Sequence, residues 1–169
     1  MAPTATTTLA HARYSSPVGL VDLVGGLAGL RRCGWSLDVP GTSDELDETM
    51  AEALAQVVAY FAGELRTFDL VLDLPPMEPR KRAVLDAMAT IEYGEVITYA
   101  ELGRRSGTGL PPRAIGSLMG GNPVPIVIPC HRVVAADGLG GFSGGERGHE
   151  LATKRWLLEH EGALPPSLF

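Results

Sequence analysis

The chain has 169 residues, of which 45% are apolar and 20% charged, enough for one globular domain or two small ones. No apolar run approaches the roughly 20 residues that span a bilayer, and two cysteines with four scattered histidines give no zinc-ligand spacing, so no metal is implied. The net charge is −6, and an acidic protein is a poor default candidate for nucleic-acid binding.

The acidity is uneven: residues 1–75 hold four Arg against ten Asp/Glu, while residues 76–169 hold ten Lys/Arg against ten Asp/Glu. Residues 1–10 are rich in Thr and Ala and lack a basic start before a long apolar stretch. They read as a disordered leader rather than a signal peptide, with a cytoplasmic location as the expectation. From Tyr14 to Trp35 short apolar runs alternate with glycines, the pattern of a small β-hairpin system. Thr42, with Glu45 three residues on, reads as a capping box opening a helix. Leu46, Met50, Leu54, Val57, Val58 and Phe61 recur at helical spacing and predict its buried face. Leu70-Val71-Leu72 is a short strand candidate. Three prolines between Asp73 and Pro79 mark a linker, so the expected domains are 1–75 and 76–169.

The second half reads as mainly helical. Val84, Leu85, Met88 and Ile91 give one apolar face to a helix over 80–91. Thr98 and Glu101 form a second capping box for a short helix over 99–105. The turn Ser106-Gly107-Thr108-Gly109 leads to Pro111 and Pro112, which suit the first turn of the next helix. Two short helices joined by a glycine turn predict a helix-turn-helix. Ile126-Val127-Ile128 reads as a buried strand or extended segment, residues 138–145 as a glycine-rich loop, and 149–161 as a closing helix with Leu151, Trp156, Leu157 and Leu158 inward.

Cys130 carries the most chemistry. A lone cysteine is usually a buried structural thiol. Here Pro129 stiffens the approach, and His131 and Arg132 supply polar or cationic neighbours. Such neighbours favour the thiolate, the reactive species, and can lower a cysteine from about 8.5 to between about 3.5 and 7.5.

The run Gly121-Asn122-Pro123-Val124-Pro125-Ile126-Val127-Ile128-Pro129-Cys130-His131-Arg132-Val133 resembles the active-site signature of the O6-alkylguanine-DNA alkyltransferases. The likeness is strong over 76–163 and weak over the N-terminal half. It implies an α/β architecture: a small N-terminal α/β domain with a short antiparallel sheet, then a mainly helical domain bearing the helix-turn-helix. It implies a single-turnover transfer of an alkyl group from O6 of guanine, or O4 of thymine, to Cys130, with no cofactor. By the same resemblance His131 takes the thiol proton through a water, Glu161 orients His131, and Tyr99 donates to the leaving guanine. Asn122 shapes the turn beside the cysteine, and Ser143 lies near O6. Arg113 fills the space of the flipped nucleotide, with Ala114, Thr108, Arg132 and Val133 also at the DNA or substrate. The implied partner is double-stranded DNA containing O6-alkylguanine, met by a monomer without a membrane.

Several positions depart from the family pattern. Arg80 and Leu85 replace aromatic residues, so altered core packing is expected there. Gly120 and Thr108 stand where basic or polar DNA contacts are common, and residues 146–150 lengthen the loop before the last helix. His11 and Cys33 do not reproduce the zinc ligands of some relatives. Two other readings stay open on the residues alone: a binding-only protein that recognises alkylated DNA, and a thiol hydrolase using Cys130 and His131.

Overall fold

The computed structural model describes residues 8–165, and the chain divides into two compact units between Pro75 and Pro76. In the first unit, β1 (Ala10–Ser16), β2 (Gly19–Gly26) and β3 (Gly29–Trp35) form an antiparallel sheet in that order. Two-residue turns join them, with Ser16 opposite Gly19 and Gly26 opposite Gly29. The expected leader fails at its end: Ala10 already pairs with Gly25 in the sheet, while residues 1–7 lie outside the described residues.

The helix α1 (Glu48–Phe61) packs on this sheet and buries Met50, Ala53, Val57, Tyr60 and Phe61. It does not start at Thr42. The Thr42 hydroxyl accepts the Arg13 amide at 3.1 Å, and Ser43 exchanges bonds with His11, so this segment is committed to the edge of β1. Asp47 caps the helix instead, its carboxylate accepting the Met50 amide at 2.9 Å. Val58, expected inside, is exposed, and Tyr60 takes the inward place. Leu70-Val71-Leu72 makes a single parallel bridge to Leu30 rather than a strand. Gly29 permits this approach, since a Cβ there would stand 2.7 Å from the Val71 carbonyl. Pro75 and Pro76 lack the amide hydrogens that would extend the ladder.

The second unit begins with α2 (Pro79–Met88), whose Val84, Leu85 and Met88 are fully buried, with Ile91 in the turn beyond. Of the two departures from the family pattern, Leu85 lies in the core but Arg80 is exposed. Next come β4 (Ile97–Thr98), α3 (Tyr99–Ser106) and α4 (Pro112–Met119). The Thr98 hydroxyl caps α3 by accepting the Glu101 amide at 3.2 Å. The carboxylate of Glu101 turns to Arg104 and Arg105. Gly107, left-handed at φ 70°, ends α3, and α4 folds back against it as the helix-turn-helix.

Residues 126–128 are not a strand. They form a tight turn in which Ile126 has φ 76°, a strained value for a β-branched residue. Prolines 123, 125 and 129 remove the donors a strand would need, while Ile126 and Ile128 stay buried. A single 3₁₀ turn over Cys130–Arg132 follows, then β5 (Val133–Val134) and α5 (Glu150–His160). On α5 the expected inward Leu151 is 55% exposed, while Lys154 is fully buried. Among the described residues no helix is long and apolar enough to cross a membrane.

Candidate active site

A two-residue parallel pairing sets the site. Ile97 pairs with Val133 and Thr98 with Val134. Tyr99 follows the C-terminal end of β4, whereas Cys130-His131-Arg132 leads into the N-terminal end of β5, so the pairing ties α3 and the cysteine turn to opposite ends of one short ladder. Asn122 holds the strained turn before Cys130 from both sides. Its amide donates to the Ile128 carbonyl at 2.8 Å and its oxygen accepts the Val124 amide at 3.1 Å.

Behind Cys130 lies a buried ionic cluster. His131 Nε2 is 2.7 Å from Glu161 Oε1, with both side chains fully enclosed. A carboxylate can only accept, so Nε2 carries the proton and Nδ1 is the basic nitrogen. Among the described residues Nδ1 has no protein hydrogen-bond partner. Burial pushes His131 below its ordinary value despite Glu161, which keeps the imidazole neutral. Burial alone would push Glu161 up. Hydrogen bonds from His131 and Arg132, with the Arg132 charge, outweigh it and hold the carboxyl well below the usual range. Arg132 grips Glu161 in a fork at 2.8 and 2.9 Å and donates to the Ile91 carbonyl at 2.6 Å. The expectation that Arg132 meets DNA is corrected here: its guanidinium is buried, and each of its three nitrogens is bonded within the protein. Val133 is likewise buried, its backbone in β5.

In front of Cys130 is an open cavity of about 620 Å³. Tyr99, Arg113 and Ser143 line it with Cys130, as do Gly116, Ser117, Gly120 and Phe142. Arg113 is exposed on the first turn of α4, where Pro112 occupies the first helical position. The Tyr99 hydroxyl donates to the Gly141 carbonyl at 3.3 Å, and partial burial raises its titration, so it is a proton donor at neutral pH. Neither Thr108 nor Ala114 lines the cavity. The Thr108 hydroxyl instead bonds the Ser106 hydroxyl at 2.9 Å inside the inter-helix turn.

The electrostatics of Cys130 differ from the expectation of a depressed thiol. Burial dominates and pushes it above its ordinary value. The opposing groups are the Asn122 amide, the Lys154 ammonium and the backbone amides of Cys130 and His131. Arg132 is not among them. Two further residues, Phe142 and Lys154, belong to the site. Phe142 sits between glycines and looked like part of a turn, although a lone aromatic in a Gly-rich loop is a signal for a pocket wall. Lys154 had no signal, because a lysine on a helix normally faces water.

The comparisons agree with this geometry. A family model described as 6-O-methylguanine DNA methyltransferase, DNA binding domain, matches residues 79–163. A methylated-DNA–protein-cysteine methyltransferase of Methanosarcina acetivorans is 36% identical, with 90% of this chain and 98% of the relative aligned. One of Mycolicibacterium paratuberculosis is 42% identical, over 90% of this chain and 92% of the relative. The crystal structure of Mycobacterium tuberculosis O6-methylguanine methyltransferase superposes with a TM-score of 0.77 at 34% identity, covering 95% of this chain and 98% of that one. The structure of Mycobacterium tuberculosis OGT in complex with DNA gives 0.73 at 34% identity, covering 92% and 94%. Likeness on this scale extends through both units and beyond the signature around the cysteine, and the chain belongs to the methylated-DNA–protein-cysteine methyltransferase family.

Proposed function

We infer that this protein repairs DNA by direct reversal, moving an alkyl group from O6 of guanine in duplex DNA to Cys130. The observation that supports this most is the two-sided setting of one thiol. A buried base and carboxylate stand behind it, and a base-sized cavity with a tyrosine hydroxyl and an exposed arginine opens in front.

The chemistry follows from the charges. Resting Cys130 is a thiol at neutral pH, so its proton must leave as the reaction proceeds. A water between sulfur and His131 Nδ1 would pass that proton to the imidazole, with Glu161 stabilising the cation that forms. Sulfur attacks the alkyl carbon, the carbon–O6 bond breaks, and the guanine anion takes a proton from Tyr99. The proton lost from sulfur then restores the tyrosine, so charge balances. The product is a thioether, which water does not cleave, and the protein acts once.

The target atom is unreachable inside the base stack, so the nucleotide must swing out at a cost of a few kcal/mol. Arg113 on slender α4 is the residue we assign to the vacated space, approaching from the minor groove. Ser143 is assigned to O6 and Asn122 to the shape of the cysteine turn. The second unit is neutral, so affinity rests on local contacts more than on bulk charge. A reduced thiol and a DNA substrate fit a cytoplasmic location.

Excess duplex containing O6-methylguanine tests the reading. Guanine release is expected to stop at one equivalent per protein. Continued turnover would identify a hydrolase, and tight binding without release would identify a recognition protein.

A further inference from the structure

We propose that Lys81 is a phosphate-binding residue for duplex DNA, its ammonium resting on the glycine end of α4, at the opposite end of that helix from Arg113. This rests on the reading of the protein as one that acts on duplex DNA.

The cations of the second unit sort by what they touch. Among the described residues, Arg82 pairs with Asp86, Arg104 and Arg105 with Glu101, Arg132 with Glu161 and Arg155 with Glu159. Lys154 is buried and donates to two carbonyls. That leaves Arg80, Lys81, Arg113 and Arg147, which have no carboxylate within ion-pair distance among the described residues. Glu78, the acid nearest to Lys81 in sequence, commits its carboxylate to the amides of Arg80 and Lys81 at 3.1 and 3.2 Å. The Lys81 charge is therefore open to an outside anion.

Two of these four cations mark the ends of α4. Arg113, the one charged residue of α4, is exposed on its first turn. Lys81 comes from α2, which packs against α4. The end of its side chain lies over Gly121, where a Cβ would stand 2.9 Å from Lys81 Cε and closer still to the ammonium. Gly121 has no left-handed φ, so its backbone does not require glycine. The missing side chain is the space that the lysine fills. Gly120, the residue before, lines the cavity in front of Cys130, so the ammonium stands at the rim of that cavity. The helix between the two cations has eight residues. It is about 12 Å long, or three to four base-pair steps of about 3.4 Å. A duplex that offers a nucleotide to the cavity lays its backbone along this face of α4. A phosphate contact at Lys81 would fix the register of that backbone without reading its sequence. A narrower role for Lys81 is also defined by the geometry. The Leu118 carbonyl lies 3.7 Å from the same Cβ point, so the ammonium faces the negative end of α4. A lysine with that role alone would change stability and leave the salt dependence of DNA binding untouched.

The test measures duplex affinity from 50 to 200 mM salt for wild type, Lys81→Gln, Lys81→Arg and Arg82→Gln, beside thermal midpoints and methyl uptake from an O6-methylguanine duplex. One phosphate contact contributes about 0.9 to the slope of log affinity against log salt. Lys81→Gln is expected to lose that much slope, so its deficit in affinity should be about three- to fourfold larger at 50 mM than at 200 mM salt. Lys81→Arg should keep the wild-type slope. Arg82 is the next residue on α2 and is paired with Asp86, so Arg82→Gln should keep it too. An unchanged slope in Lys81→Gln would overturn the proposal, and a lowered thermal midpoint beside it would assign Lys81 to the end of α4 alone. An equal loss of slope in Arg82→Gln would overturn it in favour of bulk charge. If wild type takes up no methyl group from the duplex, the parent reading fails instead, and the salt slopes still decide whether Lys81 meets phosphate.

Discussion

The two cysteines lie in different units, and the contrast between them shows what separates a structural thiol from a nucleophile. Both are buried, Cys33 at 1% exposure and Cys130 at 8%, and burial pushes both thiols upward. At Cys33 on β3 the nearby Asp22 carboxylate adds to burial, and the thiol reaches about 12. At Cys130 the neighbours pull the other way, through an amide, an ammonium and two backbone N–H groups. Cys130 also borders an open cavity that Cys33 does not line. Burial is common to both sites. The sign of the neighbouring charge, a base in reach and an opening to a ligand are not.

Removing what Cys130 has and Cys33 lacks should give the largest effect. In Glu161→Gln, His131 loses its orienting carboxylate and Arg132 is left as a buried unpaired cation. Single-turnover transfer should slow by about 10²–10⁴-fold, and stability should fall by about 3–5 kcal/mol in a denaturant titration. Gly140→Ala tests the front of the site. Gly140 has φ 72°, and a Cβ there would stand 2.9 Å from the Tyr99 hydroxyl. The tyrosine must move, so transfer should slow about tenfold or more while stability falls by about 1–3 kcal/mol.

The pH dependence separates the two units next. His131 and Glu161 both have folded-state values below their unfolded ones. Between its unfolded and folded values each group binds more protons when unfolded, so stability falls with acid. The loss should begin near pH 6.5 through His131 and deepen below about 4.5 through Glu161. Urea midpoints measured from pH 8 to 4 check this, and Glu161→Gln should lose the lower part of the slope. The smallest effect is expected at Cys33→Ala. Loss of one buried sulfur should cost about 1 kcal/mol and leave the transfer rate unchanged.

The sequence made some of these residues legible and hid others for physical reasons. The motif around Cys130 is long enough to identify the acceptor, and the spacing of Val84, Leu85, Met88 and Ile91 marks a face that is buried throughout. Glu161 was visible only through the family resemblance, because a helix-end carboxylate resembles any solvated one until Arg132 folds onto it. The start of α1 was misplaced because Thr42 and Ser43, good capping residues, are drawn into bonds with β1. Ile126-Val127-Ile128 has strand composition, but the proline spacing and the two bonds of Asn122 force a turn. On α5, apolarity pointed to Leu151 as buried. Two distant carbonyls select Lys154 instead, a condition that no local pattern encodes.

The most direct measurement is peptide mapping by mass spectrometry after one equivalent of methylated duplex. One methyl group on the peptide containing Cys130, none on the peptide containing Cys33, and none anywhere in Cys130→Ser is the expected result. A methyl group on Cys33, or uptake that survives Cys130→Ser, would contradict the assignment of Cys130 as the acceptor.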